Sequence, residues 1–376
     1  MSRQMKLMLV FVLVFVGMFS YTMEDSLALT GFYTVLKDAD RYLRFVFITG
    51  VTKFSQLGVF SNLNQLMDIS MNPDYATVCG MTKDEIERDF QPELAALAAM
   101  NKQTYEQTVN ELAKRYDGYH FSEFQTEGVF NPFSVLNALI QRRFSSYWFS
   151  TGTPTMLVDI LKKTDYDLRK LDGIEVPAAA LTDYRMDFHN PVPIIYQSGY
   201  LTIKEYDLLK NFYVLGYPNA EVEYGWLNFI TPYYTPMSEA NAPFYIGKFW
   251  DELREGDVDS FMERLRAFFA GMPYELNDKT ERHYQVIFYI VFKLLGQYVD
   301  VEVRSARGRA DAVVKTTDYI YVFEFKLNGS VDEALRQIDD RGYLIPYTAD
   351  GRQLVKVGAS FNKEDRNIGE WKVVDS

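Results

Sequence analysis

The segment Tyr319-Ile320-Tyr321-Val322-Phe323-Glu324-Phe325-Lys326-Leu327 is apolar except for one acid and one base, and these stand two residues apart. A run this rich in aromatic and β-branched residues reads as a strand. Side chains two apart in a strand share a face, so Glu324 and Lys326 project together while Phe323, Phe325 and Leu327 enter a core on the other side. The flanking sequence supplies both a sheet and its cover. Asn277 or Asp278 can cap a helix with the apolar stripe Tyr284, Ile287, Phe288, Val291, Leu294 and Leu295, stopped by Gly296. Val299, Val301 and Val303 then alternate with Asp300, Glu302 and Arg304, as in a half-buried strand. Residues 310–315, a turn at Thr316-Thr317-Asp318 and the Tyr319 run form a hairpin. Ser330-Val331-Asp332-Glu333 is a capping box opening a helix that buries Val331, Ala334, Leu335 and Ile338 and stops at Gly342. Residues 353–359 supply a fourth strand, so this part of the chain is α/β.

With 376 residues, 48% of them hydrophobic, the chain exceeds what one core usually serves, roughly 250 to 300 residues. A second apolar run, Leu7 to Phe19, follows Arg3 and Lys6 and has two readings. One is a buried strand; the other is an export signal, although no small-x-small cleavage pattern follows and the run is short of the ~20 residues a spanning helix needs. Residues 42–50 read as a further buried strand. From Phe54 to Thr164 helical signals dominate, with a capping box at Thr82-Lys83-Asp84-Glu85 and Leu94, Leu97 and Met100 on one face. Between Pro191 and Tyr245, Ile194-Ile195-Tyr196, Tyr200-Leu201-Thr202-Ile203 and Tyr213-Val214-Leu215 read as short strands broken by Gly199, Gly216 and Pro218. Phe249 to Phe269 reads as one helical stretch. These shifts divide the chain into 1–55, 56–245 and 246–376.

A net charge of -12 excludes a wholly basic nucleic-acid coat protein, so any phosphate contact must be local. The acidity lies mostly ahead of Gly271; from there on, 15 Lys plus Arg face 17 Asp plus Glu. Arg304, Arg307 and Arg309 cluster in the loop entering the hairpin, either as a phosphate-binding loop or as ordinary solvated side chains. One cysteine, Cys79, and three scattered histidines, His120, His189 and His283, exclude an internal disulfide and offer no zinc-ligand spacing. Carboxylates would have to hold any metal. Asp311 stands at the entry to the hairpin, where it can approach Glu324 across the ladder, and two acids suit Mg²⁺. A lysine beside them can position a water for in-line attack on a phosphodiester. The plain alternative for Glu324 and Lys326 is a solvated ion pair on an exposed face. Glu281 could equally close a capping box with Asp278. A phosphate-binding P-loop is missing: the Gly247-Lys248 pair has Ala242 where the first glycine belongs and Phe249 where a hydroxyl belongs.

Taken in order, these blocks resemble the PD-(D/E)xK nuclease superfamily, in the bacterial family where that domain follows an AAA-ATPase-like region. The likeness runs through residues 42–55, Tyr116-Asp117-Gly118-Tyr119, Asn131-Pro132-Phe133-Ser134, residues 150–155 and Gln197-Ser198-Gly199-Tyr200-Leu201. It ends in Gly308-Arg309-Ala310-Asp311 and Glu324-Phe325-Lys326, with Ala310 in place of the nominal proline. The resemblance implies an α/β fold: an incomplete P-loop-type ATPase unit, a mostly helical middle, and a restriction-endonuclease-like domain with a central mixed sheet. It implies Asp311 and Glu324 as Mg²⁺ ligands, Lys326 as the catalytic lysine, Glu281 as an accessory acid and Gln337 as a polar residue facing the site. Gln337 could instead be a surface residue. The expected activity is Mg²⁺-dependent hydrolysis of nucleic acid, DNA foremost, without ATP binding. Residues 1–30 would be the N-terminally truncated remnant of an ATPase, and the expected location is cytoplasmic unless the first apolar run is a signal. The rival expectation is a catalytically silent nucleic-acid or protein interaction module.

Overall fold

The computed structural model describes residues 10–13, 39, 42–43, 45–49, 67–125, 127–151, 157–158, 160–161, 166–182, 190–235, 237–238, 241–271, 281–303, 311–327, 329–362, 364 and 367–375. The chain forms two compact units, Met1–Tyr166 with Leu171–Glu223, and Asp167–Lys170 with Tyr224–Ser376.

In the first unit, β1 (Val10–Leu13) pairs in parallel with β2 (Val46–Thr49). The strand reading of the first apolar run therefore holds for its described residues; the rest of 7–19 lies outside them. β2 is shorter than the sequence suggested, and Tyr42 and Phe45 ahead of it are exposed. Among the described residues no helix is long and apolar enough to cross a membrane.

Four helices follow, α1 (Lys83–Asp89), α2 (Gln91–Asn101), α3 (Tyr105–Tyr116) and α4 (Pro132–Gln141). Local chemistry starts three of them: capping boxes at Thr82 and Thr104, and Asn131, whose side chain accepts from the Phe133 and Ser134 N–H groups. Ile86, Leu94, Leu97, Val109, Leu112 and Val135 share one core. Met100, read on the same stripe, is 66% exposed, because the face of α2 that meets its neighbours is narrower than the apolar pattern.

Next come β3 (Ile174–Pro177), α5 (Ala178–Thr182), α6 (Val192–Gln197), β4 (Thr202–Asp207) and β5 (Phe212–Gly216), the strands forming an antiparallel sheet in the order β3-β5-β4. Ile194-Ile195-Tyr196 is helical, against the sequence reading. A short apolar run cannot by its period separate a buried strand from a buried helical turn, and Pro193 stands in the first turn, where its missing N–H costs nothing. The buried Glu221, in the first turn of α7 (Ala220–Tyr234), accepts from Ser134 Oγ at 2.7 Å and from the backbone N–H groups of Tyr147 and Trp148 at 2.5 and 3.0 Å.

The second unit places α8 (Ala242–Glu255), α9 (Val258–Ala270), α10 (Glu281–Leu295) and α11 (Val331–Asp340) around a sheet of β6 (Asp300–Val303), β7 (Ala312–Lys315), β8 (Tyr319–Lys326), β9 (Gln353–Asn362) and β10 (Asn367–Asp375). The stretch 249–269 is two helices. Gly256, at φ 82°, ends α8, and Asp257 caps α9 through the Ser260 N–H. The strand order is β10-β9-β8-β7-β6; β8 and β9 run parallel and the other pairs antiparallel, so the sheet is mixed. β10 was not read from the sequence.

β8 is covered on both faces. Phe323 lies 5.5 Å from Phe261 of α9 and 5.0 Å from Phe292 of α10, and Phe325 stacks on Phe288 of α10 at 4.1 Å between ring centres. On the other face Ile320 and Val322, with Val313 of β7, pack against Val331, Leu335 and Ile338 of α11.

Candidate active site in the C-terminal unit

The two-residue alternation of β8 decides where its charged residues point. Odd positions meet α9 and α10, so Glu324 and Lys326 lie on the face covered by α11. The side chain of Glu324 is 4% exposed and that of Lys326 24%, which removes the reading as a solvated surface pair. Lys326 Nζ donates to Glu324 Oε1 at 2.8 Å. Gln337, on the second turn of α11, binds both: its Oε1 accepts from Lys326 Nζ, and its Nε2 donates to Glu324 Oε1. Gln337 Nε2 also donates to the Tyr343 hydroxyl at 3.2 Å.

Asp311 stands immediately before β7, two residues ahead of Val313 and therefore in phase with the α11 face. Its N–H donates to Phe323 O at 3.1 Å, and its Oδ2 accepts from the Phe325 N–H at 2.8 Å. The backbone between Glu324 and Lys326 thus fixes the carboxylate of Asp311. Four of the five candidate catalytic residues come together here. Glu281 opens α10, but its side chain lies outside those described. Arg304, Arg307 and Arg309 also lie outside the described residues.

Electrostatically this is a strained pair of acids. Burial pushes the Glu324 carboxyl up to about 7, the nearby negative charge of Asp311 adds to the rise, and Lys326 only partly opposes it. Burial raises Asp311 as well, against the Phe325 N–H and the positive charges of Lys326 and Arg169. Glu324 Oε2 is buried and has no hydrogen-bond partner. An unpaired carboxylate oxygen in such a place carries an uncompensated desolvation cost.

The donor set is all oxygen and acidic, which fits a hard divalent cation such as Mg²⁺, and the free Oε2 beside Asp311 is the place where a cation would relieve both the desolvation and the repulsion. Among the described residues no cluster of three or more His, Cys, Asp or Glu could hold a metal on its own. Two carboxylates with waters are sufficient for Mg²⁺.

Tyr343, Arg169 and the Phe325 N–H were not foreseen. Tyr343 follows Gly342, at φ 62°, and the turn swings it back onto Gln337. Arg169 is separated by 116 positions from its partner Gln285, and no local pattern announces such a contact.

Residues 279–371 match the PD-(D/E)XK nuclease superfamily, and residues 11–60 match a family described as predicted AAA-ATPase. An uncharacterized protein in the vnfD 5′ region of Azotobacter chroococcum mcd 1 is 32% identical over 349 residues, which are 90% of this chain and 65% of that protein. The chain thus spans about two thirds of that relative's length. No solved structure matches. With the mixed sheet, its flanking helices and the Asp311, Glu324 and Lys326 arrangement already in place, the matches identify residues 279–371 as a PD-(D/E)XK nuclease superfamily domain and residues 11–60 as an AAA-ATPase-like region.

Proposed function

We propose that this chain is a Mg²⁺-dependent nuclease that hydrolyses phosphodiester bonds of DNA, with Asp311 and Glu324 as the metal-holding acids. The observation that carries the reading is Glu324 Oε2, a buried acidic oxygen without a partner, on the same strand face as Lys326 and in phase with Asp311. When bound, the cation supplies Lewis-acid polarisation and charge neutralisation at the phosphoryl group.

The remaining work falls to the protein's own side chains. Two of the three N–H donors of Lys326 are directed to Glu324 and Gln337, which leaves one for the attacking water or a phosphate oxygen. Gln337 locks the amine and the acid in one geometry, and the Tyr343 hydroxyl steadies the amide. In the reaction the water oxygen forms a bond to phosphorus as the P–O bond to the departing sugar oxygen breaks. A water proton is released, and the departing oxygen takes one up. Arg304, Arg307 and Arg309 are proposed to hold the phosphate backbone. ATP hydrolysis is not part of the proposed function: Gly247-Lys248, the one Gly-Lys pair, lies inside helix α8.

The test is cleavage of linear duplex, circular and single-stranded DNA with Mg²⁺ or with chelator, beside Lys326→Ala. The expected result is Mg²⁺-dependent cleavage that falls on the order of 10²-fold or more in the variant, which still folds and unfolds cooperatively. A folded chain that binds DNA yet cleaves none of these substrates with Mg²⁺ would instead be an interaction module.

A further inference from the structure

Outside the strand and helix that carry the nuclease motif, the ion pair of Asp167 and Arg169 is built into the same unit. Asp167 and the turn Leu168–Lys170 belong to the C-terminal unit although the residues on either side of them in sequence do not. Leu168 is buried and anchors the turn. Asp167 grips Arg169 bidentately: Oδ1 accepts from Nε at 2.8 Å and Oδ2 from Nη2 at 2.8 Å. The backbone N–H of Arg169 also donates to Oδ1, at 3.2 Å. This fork aims Nη1 at helix α10, where it donates to Gln285 Oε1 at 2.5 Å. The two side chains are 18% and 9% exposed, so the contact is not a loose surface pair.

Gln285 leads from there to the metal-holding acids. It stands three residues before Phe288 on the same helix, and Phe288 stacks on Phe325. The Phe325 N–H holds Asp311 Oδ2. Position 281 lies one turn ahead of Gln285 along α10. A largely buried Arg–Asp pair is a poor way to gain stability, since apolar residues of similar volume usually do as well. What the pair provides here is a fixed direction for Nη1.

We propose that Arg169 is a positioning residue of the nuclease site, which holds α10 through Gln285 and so fixes the Phe288–Phe325 stack behind Asp311. The inference rests on the nuclease reading of the site. It places a functional residue more than a hundred positions ahead of the family-matched segment 279–371.

Positioning and mere support are separable by experiment. kcat and KM for duplex DNA are measured in Mg²⁺ for the full chain and its variants, with Tm beside them. Arg169→Ala should lower kcat on the order of tenfold while KM stays, because α10 loses its hold on the strand that carries the acids. Arg169→Lys keeps the charge and loses the fork, so its kcat should fall as well. Gln285→Ala should lower kcat as Arg169→Ala does, and the double variant should be no worse than either, because both remove one contact. Should Arg169→Ala fail to fold, Arg169→Lys and Gln285→Ala carry the same test. Unchanged kcat in Arg169→Ala would overturn the inference. So would full activity in Arg169→Lys, or losses in kcat that multiply in the double variant. An unaltered chain that cleaves nothing in Mg²⁺ removes the nuclease reading and this inference together, whereas an active chain with indifferent variants removes only the inference.

Discussion

Replacing Glu324 by Gln should make the metal-free protein more stable and the enzyme inactive. In the folded protein the Glu324 carboxyl is raised to about 7, by burial first and then by Asp311, from an ordinary value of 4.5. A raised carboxyl favours folding below its unfolded value, and that advantage is lost as pH climbs to the folded one, because the native state there holds a proton that the unfolded chain has given up. The difference of about 2.5 units is worth on the order of 3 kcal/mol once the pH is well above 7. Gln has the shape of the protonated acid and cannot ionise, so it escapes this cost. Its Oε1 can still accept from Lys326 as Glu324 Oε1 does. Thermal unfolding in chelator at pH 5 and pH 8.5 is the assay. The variant should lie within about 2 to 3 °C of the unaltered chain at pH 5, where the unfolded carboxyl has only begun to ionise ahead of the folded one, and gain on the order of 6 to 12 °C at pH 8.5, for a unit of this size. In Mg²⁺ the order should reverse, since only the carboxylate holds the ion. A variant less stable than the parent at pH 8.5 in chelator, or a difference that does not change with pH, would refute the account of Glu324 as a desolvated, metal-awaiting acid.

Two further outcomes test other parts of the chain. Glu221→Ala leaves the Ser134 hydroxyl and the Tyr147 and Trp148 N–H groups without their acceptor, so chemical denaturation of the first unit should show a loss on the order of 3 to 5 kcal/mol, with Glu221→Gln losing much less. Arg307→Ala should weaken DNA binding uniformly across sequences and reduce the slope of log K against log salt by about one, read by fluorescence anisotropy, while Mg²⁺ affinity stays as it was.

What the sequence made legible was local chemistry and short period. The capping boxes at Thr82 and Ser330 need only residues three apart, and both form as read. The face shared by Glu324 and Lys326 follows from a period of two. Contacts made by the whole fold were not legible. Ile195 is buried in a helical turn rather than a strand, and Gly256 divides a helix whose apolar pattern runs straight through it. β10 is interrupted between Ile368 and Trp371, where its register with β9 shifts, and the alternation that would announce a strand is broken there. Arg169 meets Gln285 only because the chain folds a distant turn onto α10.

The burial of the Glu324 and Lys326 pair falls between these cases, and it could have been inferred. A glutamate and a lysine two apart on a strand have the same spacing whether the face is wet or covered. The capping box at Ser330 starts a helix only four residues after Lys326. The next strand, β9, runs parallel to β8. A parallel neighbour cannot be reached by a tight hairpin, so the intervening helix has to cross back over one face of the sheet. Phe323 and Phe325 already commit the other face to α9 and α10, so the crossover must cover the face that carries the charges. The polar residue in phase on that helix is Gln337, whose amide can satisfy an acid and an amine at once, and it binds both. The oxygen it leaves over, Glu324 Oε2, is the one feature of the arrangement that packing alone does not explain.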